Sequence, residues 1–391
     1  MANSVLITGA RSAAALDLAR DFVAIGWDVH LADCVTSRMA RWSHLGTSHH
    51  RYPSPRKQPQ AFRSAIMQLV TRHNIDLVVP TCEEVFHLAA PALHALLGQR
   101  LFAPDLPTLH CLHDKLTFAR SCREWGLAAP ESHPIDDAAA LTDYIETCGD
   151  WVFKPRFSRF GDRTLVSPNA ETLRRLNINS GSLWLAQQRI HGEEACFQAI
   201  ARQGRVVAFA AYRSSWRLSG GASYAFEPLD PDRSGMLQDV AATIAARAPV
   251  HGQFACDVIF GGQGGPILLE CNPRSTSGIH LLAGQGKLAG VIEGATPLAG
   301  EVVPGAPRPA FLGAAMWVFG LPHALRTGRL REWRTMLATG SDVISRPDDR
   351  APLAGAMIDA AMFSLKGLAR GLSATAATTC DIEWNGEDLE P

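Results

Sequence analysis

Apolar and polar positions alternate along the first ~105 residues in two different periods. "SVLITGA" (4–10) reads as a buried strand, and "SAAALDLARDFVAIG" (12–26) has helical apolar spacing and stops at Gly26. "DVHLAD" (28–33) reads as a second strand, "AFRSAIMQLVTRHN" (61–74) as a helix and "DLVVPT" (76–81) as a further strand. Strands alternating with helices predict a parallel α/β sheet. A boundary is expected in "FAPDLPTLH" (102–110), which carries Pro104 and Pro107. Beyond it, "DKLTFARSCREWG" (114–126) predicts a helix with Asp114 as N-cap and Gly126 as stop. "DWVFKPR" (150–156) and "SLWLAQQRI" (182–190) predict strands, and 195–212 a hairpin turning at Gln203-Gly204. A helix is expected over 235–248 and a second hairpin over 252–272, turning through glycines. From about 300 the pattern is loop-like until a helix over 355–372.

The second hairpin carries the first chemical signal. With a four-residue loop, Gly262 to Gly265, paired residues sum to 527 and Asp257 faces Glu270. Side chains alternate along a strand, so Glu270 and Asn272 share a face. A five-residue loop breaks this register by one. Two carboxylates opposite each other repel. A hard cation held by oxygen ligands offsets that, and Mg²⁺ suits such a set. The alternative places Asp257 in solvent and Glu270 against an arginine. Arg274 follows Pro273 and so leaves the strand. The "STSG" after it suits a helix start, where backbone donors favour an anion.

Composition narrows the function classes. The 391 residues are 47% apolar and 19% charged, with 37 basic against 38 acidic side chains. That is room for two or three domains. The balance gives no sign of a nucleic-acid binder or a polybasic membrane-surface protein. The start lacks the pattern of a signal peptide, and the longest apolar stretch, 309–322, is shorter than the ~20 residues a spanning helix needs. Nine scattered cysteines without a C-x-x-C pair read as reduced thiols, so a cytoplasmic location is expected. Only five of the 37 basic residues are lysines: Lys57, Lys115, Lys154, Lys287 and Lys366. A dinucleotide site at Gly9 and Asp33 is disfavoured, because "ARSAAA" follows Gly9 where a G-x-G-x-x-G needs further glycines.

Taken in order along residues 1–300, these motifs resemble the ATP-grasp superfamily of carboxylate–amine ligases. The resemblance implies an α/β (α+β) chain: a Rossmann-like pre-ATP-grasp domain (1–107), then an ATP-grasp fold (108–300) of two α+β subdomains, then a C-terminal extension (301–391). The ATP-lysine subdomain would span about 115–188 and the metal-binding subdomain about 189–300. It implies that Lys115 and Lys154 contact ATP phosphates. A loop at 156–164 with Gly161 would cover them. Gln187, Gln188, Arg189 and Ile190 would form the hinge that reads adenine, and Glu194 would take the ribose. Asp257, Glu270 and Asn272 would hold Mg²⁺, expected as two ions with Mn²⁺ as a substitute. Arg274 and Lys154 would be the catalytic residues. Two departures stand out. The hinge has glutamines where the family has a Glu, and the loop holds Arg156, Arg159 and Arg163 where the family is richer in Gly and Ser; the alternative for these arginines is a solvated face.

The implied reaction activates a substrate carboxylate as an acyl phosphate and joins it to an amine, releasing ADP and phosphate. Expected partners are a small-molecule carboxylate and an amine of amino-acid type, with no nucleic acid and no membrane; a homodimer through the tail is compatible. Arg213 and Arg217 are candidates for a substrate carboxylate, against the alternative that they pack on Trp216 or meet surface acids. His280 is a candidate for the acyl site, and His110 and His113 read as scaffold. Competing readings are an acyl-phosphate-forming enzyme with a non-amine acceptor such as bicarbonate, and a non-catalytic nucleotide-binding module on the first 105 residues.

Overall fold

The first strand, Ser4–Thr8, is buried along its whole length, as befits a central strand of a parallel sheet with an apolar middle, Val5 to Ile7. The computed structural model describes residues 2–159, 161, 163–178, 183–217, 221, 223–262, 265–294 and 302–389. In it Ser4–Thr8 lies between Asp28–Asp33 and Leu77–Val79, with Ser48–Arg51 at the edge, all parallel. Helix Ala13–Ala24 covers one face through Leu16, Ala19 and Phe22. Helix Pro59–Arg72 covers the other through Phe62, Ile66 and Val70.

A second sheet is antiparallel, in the order Ser132–Ile135, Trp184–Gln188, Trp151–Pro155 and Leu165–Val166. Helix Lys115–Glu124 precedes it. Asp114 caps that helix as expected, its carboxylate accepting from the Leu116 amide at 3.3 Å.

The third sheet has eight strands. Pro266–Asn272, Gly252–Phe260, Glu193–Arg202, Arg205–Arg217 and Ser223–Pro228 run antiparallel. The turn at Gln203-Gly204 puts both residues at positive φ, 49° and 80°, as a two-residue hairpin loop requires. Odd and even positions separate cleanly. Phe197, Ala199 and Ala201 pack with Phe209, Phe254 and helix Pro231–Arg247, while Cys196 and Ile200 pack with Ala208, Tyr212 and the N-terminal helix.

The 252–272 hairpin departs from the expected register and then recovers it. Phe260 pairs with Pro266, so the connection is five residues and the sums begin at 526. A bulge between the Val258–Leu268 and Asp257–Glu270 pairs leaves Leu269 without a partner and restores 527. The core gives the reason. Leu268 and Cys271 both face the helix-lined core, three residues apart, which a regular strand of period two cannot arrange. The bulge keeps both inside and turns Glu270 to Asp257.

The segment expected to be loop-like after 300 is structured. Val303–Pro304, Ala310–Phe311 and Ser341–Asp342 add strands to the third sheet, and helices Leu321–Thr327 and Leu330–Thr339 lie between. Pro322 and the glycines at 320 and 328 obscure this in the sequence, but Pro322 sits in a first helical turn and Gly328 takes the left-handed cap, φ 73°. Helix Ala351–Arg370 then returns to the N-terminal sheet, where Asp359 accepts the amides of Arg38 and Met39 at 2.6 and 2.9 Å. No described helix is long and apolar enough to cross a membrane.

Candidate active site

Helix Lys115–Glu124, strand Trp151–Pro155 and strand Pro266–Asn272 bring three charges to one point. Lys115 Nζ lies 3.4 Å and Lys154 Nζ 3.7 Å from the same oxygen, Oε2 of Glu270. Both lysines are buried. Lys115 also donates to the Ser158 carbonyl at 3.1 Å, tying the helix start to the segment after Lys154. Glu270 therefore meets lysines, not an arginine, and Asp257 stands opposite it in the sheet rather than in solvent.

The protonation states follow from burial and charge. Burial, with Lys115 beside it, brings the Lys154 ammonium down to about 8. Burial alone would raise Glu270; the two lysines outweigh it and hold its carboxyl down to about 2. Asp257 is pushed up to about 6 by burial and by the Glu270 charge. Its Oδ1 takes a contact from the Cys196 thiol at 3.0 Å. Glu270 thus has its charge matched by the lysines, while the charge of the facing Asp257 is disfavoured. With the amide oxygen of Asn272 the two carboxylates form an all-oxygen donor set, which fits a hard divalent cation.

Arg274 is aimed back at this group. Its Nη2 donates to Asn272 Oδ1 at 3.2 Å and its Nε to Glu83 Oε1 at 3.3 Å. Two buried glutamines fix the loop that follows. Gln198 Oε1 accepts from the Thr276 amide at 2.8 Å, and Gln253 Oε1 from the Ser275 hydroxyl at 2.6 Å.

Of the arginines in the 156–164 segment, Arg156 and Arg159 are turned inward and Arg163 is exposed. Arg156 donates from Nε to Asp114 at 2.8 Å. Arg159 donates from Nε to Glu83 Oε2 at 2.6 Å and also bonds the Trp384 carbonyl. Arg163 lies over the Trp184 ring at 5.1 Å. Gly161, at φ 67°, makes the turn. Positions 160 and 162 of this loop lie outside the described residues.

The hinge candidates are continuous with strand Trp184–Gln188. Gln187 is buried, and its amide donates to Ser132 Oγ at 3.2 Å and to the carbonyl of the bulged Leu269 at 3.5 Å. Gln188 is exposed and bonds through its backbone to Glu131. The Arg189 amide donates to the Asp150 carbonyl at 2.8 Å, and Ile190 is half-buried. Glu194 is the second residue of the next strand, Glu193–Arg202, and is paired with Arg217.

Three substrate candidates each meet a carboxylate of the chain itself. Arg213 is held by Glu227, Nε to Oε2 2.9 Å, and Arg217 by Glu194, so both meet acids. The His280 ring has its Nδ1 2.8 Å from Asp17 Oδ2 on the N-terminal helix and stacks on Phe226.

Glu83 is the residue that sequence reasoning passed over. It is buried, and its two oxygens serve Arg159 and Arg274 separately. His113 packs beside it, between Phe86 and Phe157, with neither ring nitrogen hydrogen-bonded among the described residues. The one signal was "TCEEVF", two acids at the end of an apolar strand, where open α/β sheets place ligand-facing groups.

Gly9 and Asp33, the discarded dinucleotide pair, are closed off. Asp33 is bound by Arg11, Nε to Oδ1 3.1 Å, and Arg11 reaches Asp381 of the tail at 2.6 Å.

Residues 112–278 match the family described as the ATP-grasp domain. The chain carries an ATP-grasp domain. No curated protein matches the chain. Solved structures share the ATP-grasp fold at low identity. N5-carboxyaminoimidazole synthetase from Staphylococcus aureus, complexed with ADP, superposes with a TM-score of 0.61 at 13% identity over 83% of this chain and 86% of that one. L-Amino acid ligase from Bacillus licheniformis gives 0.58 at 15% identity over 78% of each chain. The biotin carboxylase domain of the Hydrogenobacter thermophilus 2-oxoglutarate carboxylase, with MgADP and bicarbonate, gives 0.60 at 15% over 75% and 70%.

Proposed function

We propose that the chain is an ATP- and Mg²⁺-dependent ligase that activates a substrate carboxylate as an acyl phosphate and joins it to an amine, releasing ADP and phosphate. The observation that carries this reading is the convergence of Lys115 and Lys154 on Glu270, opposite Asp257. Phosphoryl transfer asks a protein mainly for positioning and charge neutralisation, and this cluster supplies both. Lys115 and Lys154 hold the phosphate tail of ATP. Gln187 to Ile190 take the base and Glu194 the ribose, once Arg217 yields it. Asp257, Glu270 and Asn272 hold Mg²⁺, one or two ions, with Mn²⁺ as a substitute. The bound ion would neutralise charge on the phosphate oxygens.

Arg274, bonded to Asn272, would meet the charge that develops when the carboxylate attacks the γ-phosphate in line. It stabilises the transferring phosphoryl group or the acyl-phosphate oxygen. The 156–164 segment shields that intermediate from water. No side-chain nucleophile is needed, which agrees with a site built of lysines, carboxylates and an arginine. The substrates are small molecules.

A second reading keeps the activation step and changes the acceptor. It is supported by the fold shared with N5-carboxyaminoimidazole synthetase and with the biotin carboxylase domain solved with MgADP and bicarbonate. One experiment tests both. The protein is incubated with ATP, Mg²⁺ and pools of amino acids, with and without bicarbonate; nucleotide products and condensed masses are then read. ADP with a condensed amide supports the ligase. ADP release that requires bicarbonate supports the second reading. AMP and pyrophosphate would sink the acyl-phosphate chemistry of either.

A further inference from the structure

A second cluster of ligand atoms lies outside the lysine–carboxylate site, on the N-terminal parallel sheet. His30 sits on strand Asp28–Asp33 and His50 on the edge strand Ser48–Arg51. The strands pair Ala32 with His50, so His30 and His50 are two positions apart and share one face. Ala32 packs on that face with Phe62, Ile66 and Val70 of helix Pro59–Arg72. The same helix ends at His73, which caps it. Sheet register and helix length thus deliver three imidazoles from three elements to one spot.

The rings form a closed triangle, with centroids 5.1, 4.6 and 4.8 Å apart. One ring nitrogen from each lies within 4.8 Å of the others. A tetrahedral ion with metal–nitrogen bonds of ~2.1 Å spaces its ligand nitrogens by roughly 3.4 Å, so small side-chain rotations close the set. His30 Nδ1 and His50 Nε2 are already 2.9 Å apart. The far nitrogen of His30, Nε2, lies 3.2 Å from Asp28 Oδ2. A carboxylate on the outer nitrogen is the arrangement that fixes a ligating imidazole's tautomer, leaving Nδ1 with its lone pair inward. His30 is buried, while His50 and His73 are half-buried, which gives an ion a path in. His73 also stands at a helix C-terminus, where the backbone favours positive charge.

We propose that His30, His50 and His73 form a site for a transition-metal ion, Zn²⁺ first among them, with Asp28 as the positioning residue for His30. Three imidazoles without a carboxylate ligand suit Zn²⁺, Co²⁺, Ni²⁺ or Cu²⁺ and not Mg²⁺. The ion would tie the short edge strand to its neighbour and to the helix above. It is a different metal, on different ligands, from the one held by Asp257, Glu270 and Asn272.

The test uses the full, tag-free chain, stripped of metal and titrated with Co²⁺ and with Zn²⁺. One equivalent of Co²⁺ should give the visible absorption of a four-coordinate ion with nitrogen ligands, displaced by Zn²⁺, and Zn²⁺ should raise the thermal midpoint. His50→Gln and His73→Gln, both at half-buried positions, should each remove the spectrum while near-ultraviolet circular dichroism stays native. Asp28→Asn should weaken binding ~10–100-fold. Glu270→Gln should leave the spectrum intact, which separates this ion from one at the carboxylate site. Failure to bind Co²⁺ or Zn²⁺, or a spectrum unchanged in both histidine variants, overturns the proposal. So does a thiolate charge-transfer band in place of the nitrogen-type spectrum.

Discussion

Glu83, at the end of the N-terminal parallel sheet, pairs with Arg274, which lies 191 residues on, directly after the metal-candidate strand; Nε and Oε1 are 3.3 Å apart. The other oxygen of Glu83 binds Arg159. One buried carboxylate therefore joins three parts of the chain: the sheet, the 156–164 segment and the Arg274 loop. Removing its charge takes the nearest carboxylate from Arg274 and leaves Arg159 only the more distant Glu383, at 3.7 Å, and breaking a buried pair in this way costs roughly 3–5 kcal/mol. Glu83→Gln should lower unfolding stability by that order in denaturant titration. It should also weaken turnover more than it weakens ATP binding, because Arg274 loses its aim. Stability within ~0.5 kcal/mol of wild type would show the triad to be slack.

Glu270 sits between two cations and opposite an acid. Replacing it with Gln keeps the shape and removes the charge that both lysines face. Lys154, already brought down to about 8 by burial and Lys115, then loses its strongest counterweight, keeping only the Asp257 charge, and is driven lower. A site that works by fixed charge should lose ~10²–10³ in kcat on losing such a group. Turnover of Glu270→Gln measured across a Mg²⁺ titration checks this. Activity within a few-fold of wild type at every Mg²⁺ concentration would take Glu270 out of the chemistry.

His113 gives a pH dependence with a definite sign. Burial holds its imidazole down to about 3, against an ordinary value of 6.5. Below 6.5 the unfolded chain takes up a proton that the folded chain refuses. Stability from this group is therefore complete above 6.5 and falls as pH drops toward 3. The slope is up to ~1.4 kcal/mol per pH unit, or ~2 kcal/mol lost by pH 5. Glu83 adds a second loss in the same direction, beginning lower, because Arg159 and its neighbours outweigh burial and hold its carboxyl down. Between pH 6.5 and 5, His113→Leu should show a shallower decline than wild type in urea-midpoint measurements. Parallel declines would mean that the folded protein admits the proton at His113.

Much of the site was legible because its parts are local. Lys115 follows its own cap, Lys154 sits before a proline at a strand end, and Glu270 and Asn272 share a strand. The Asp257–Glu270 pairing was legible only by its outcome. The loop is one residue longer than the register needed, and the bulge at Leu269 that corrects it is set by the spacing of Leu268 and Cys271 in the core. Glu83 and the tail were not legible. Their contacts to Arg159, Arg11 and Arg38 span 76, 370 and 321 residues, and no local period records a pairing of that length. The histidine triangle has the same character, since its three members come from two strands and a helix end.

The Arg274 loop is held by a close approach that a single methyl group should disturb. Gly278 lies against Gln198 and Tyr212, and a Cβ there would stand 2.5 Å from Gln198 Cβ and 2.7 Å from Tyr212 Cε1. The neighbour that would have to move is the same Gln198 that receives the Thr276 amide and hydroxyl at 2.8 and 2.9 Å. Its backbone φ is not in the left-handed region, so the cost of Gly278→Ala is steric and not conformational. Overpacking of this kind costs ~1–3 kcal/mol. The displacement should pass through Thr276 to Arg274, two residues before it. Gly278→Ala should therefore lower kcat by ~10-fold or more while ATP affinity, which we assign to Lys115, Lys154 and the 187–190 hinge, changes little. Steady-state kinetics together with nucleotide-binding titration check this. An equal loss in both would place the disturbance in the sheet as a whole, and no loss in either would show that Gln198 and Tyr212 give way without moving the arginine.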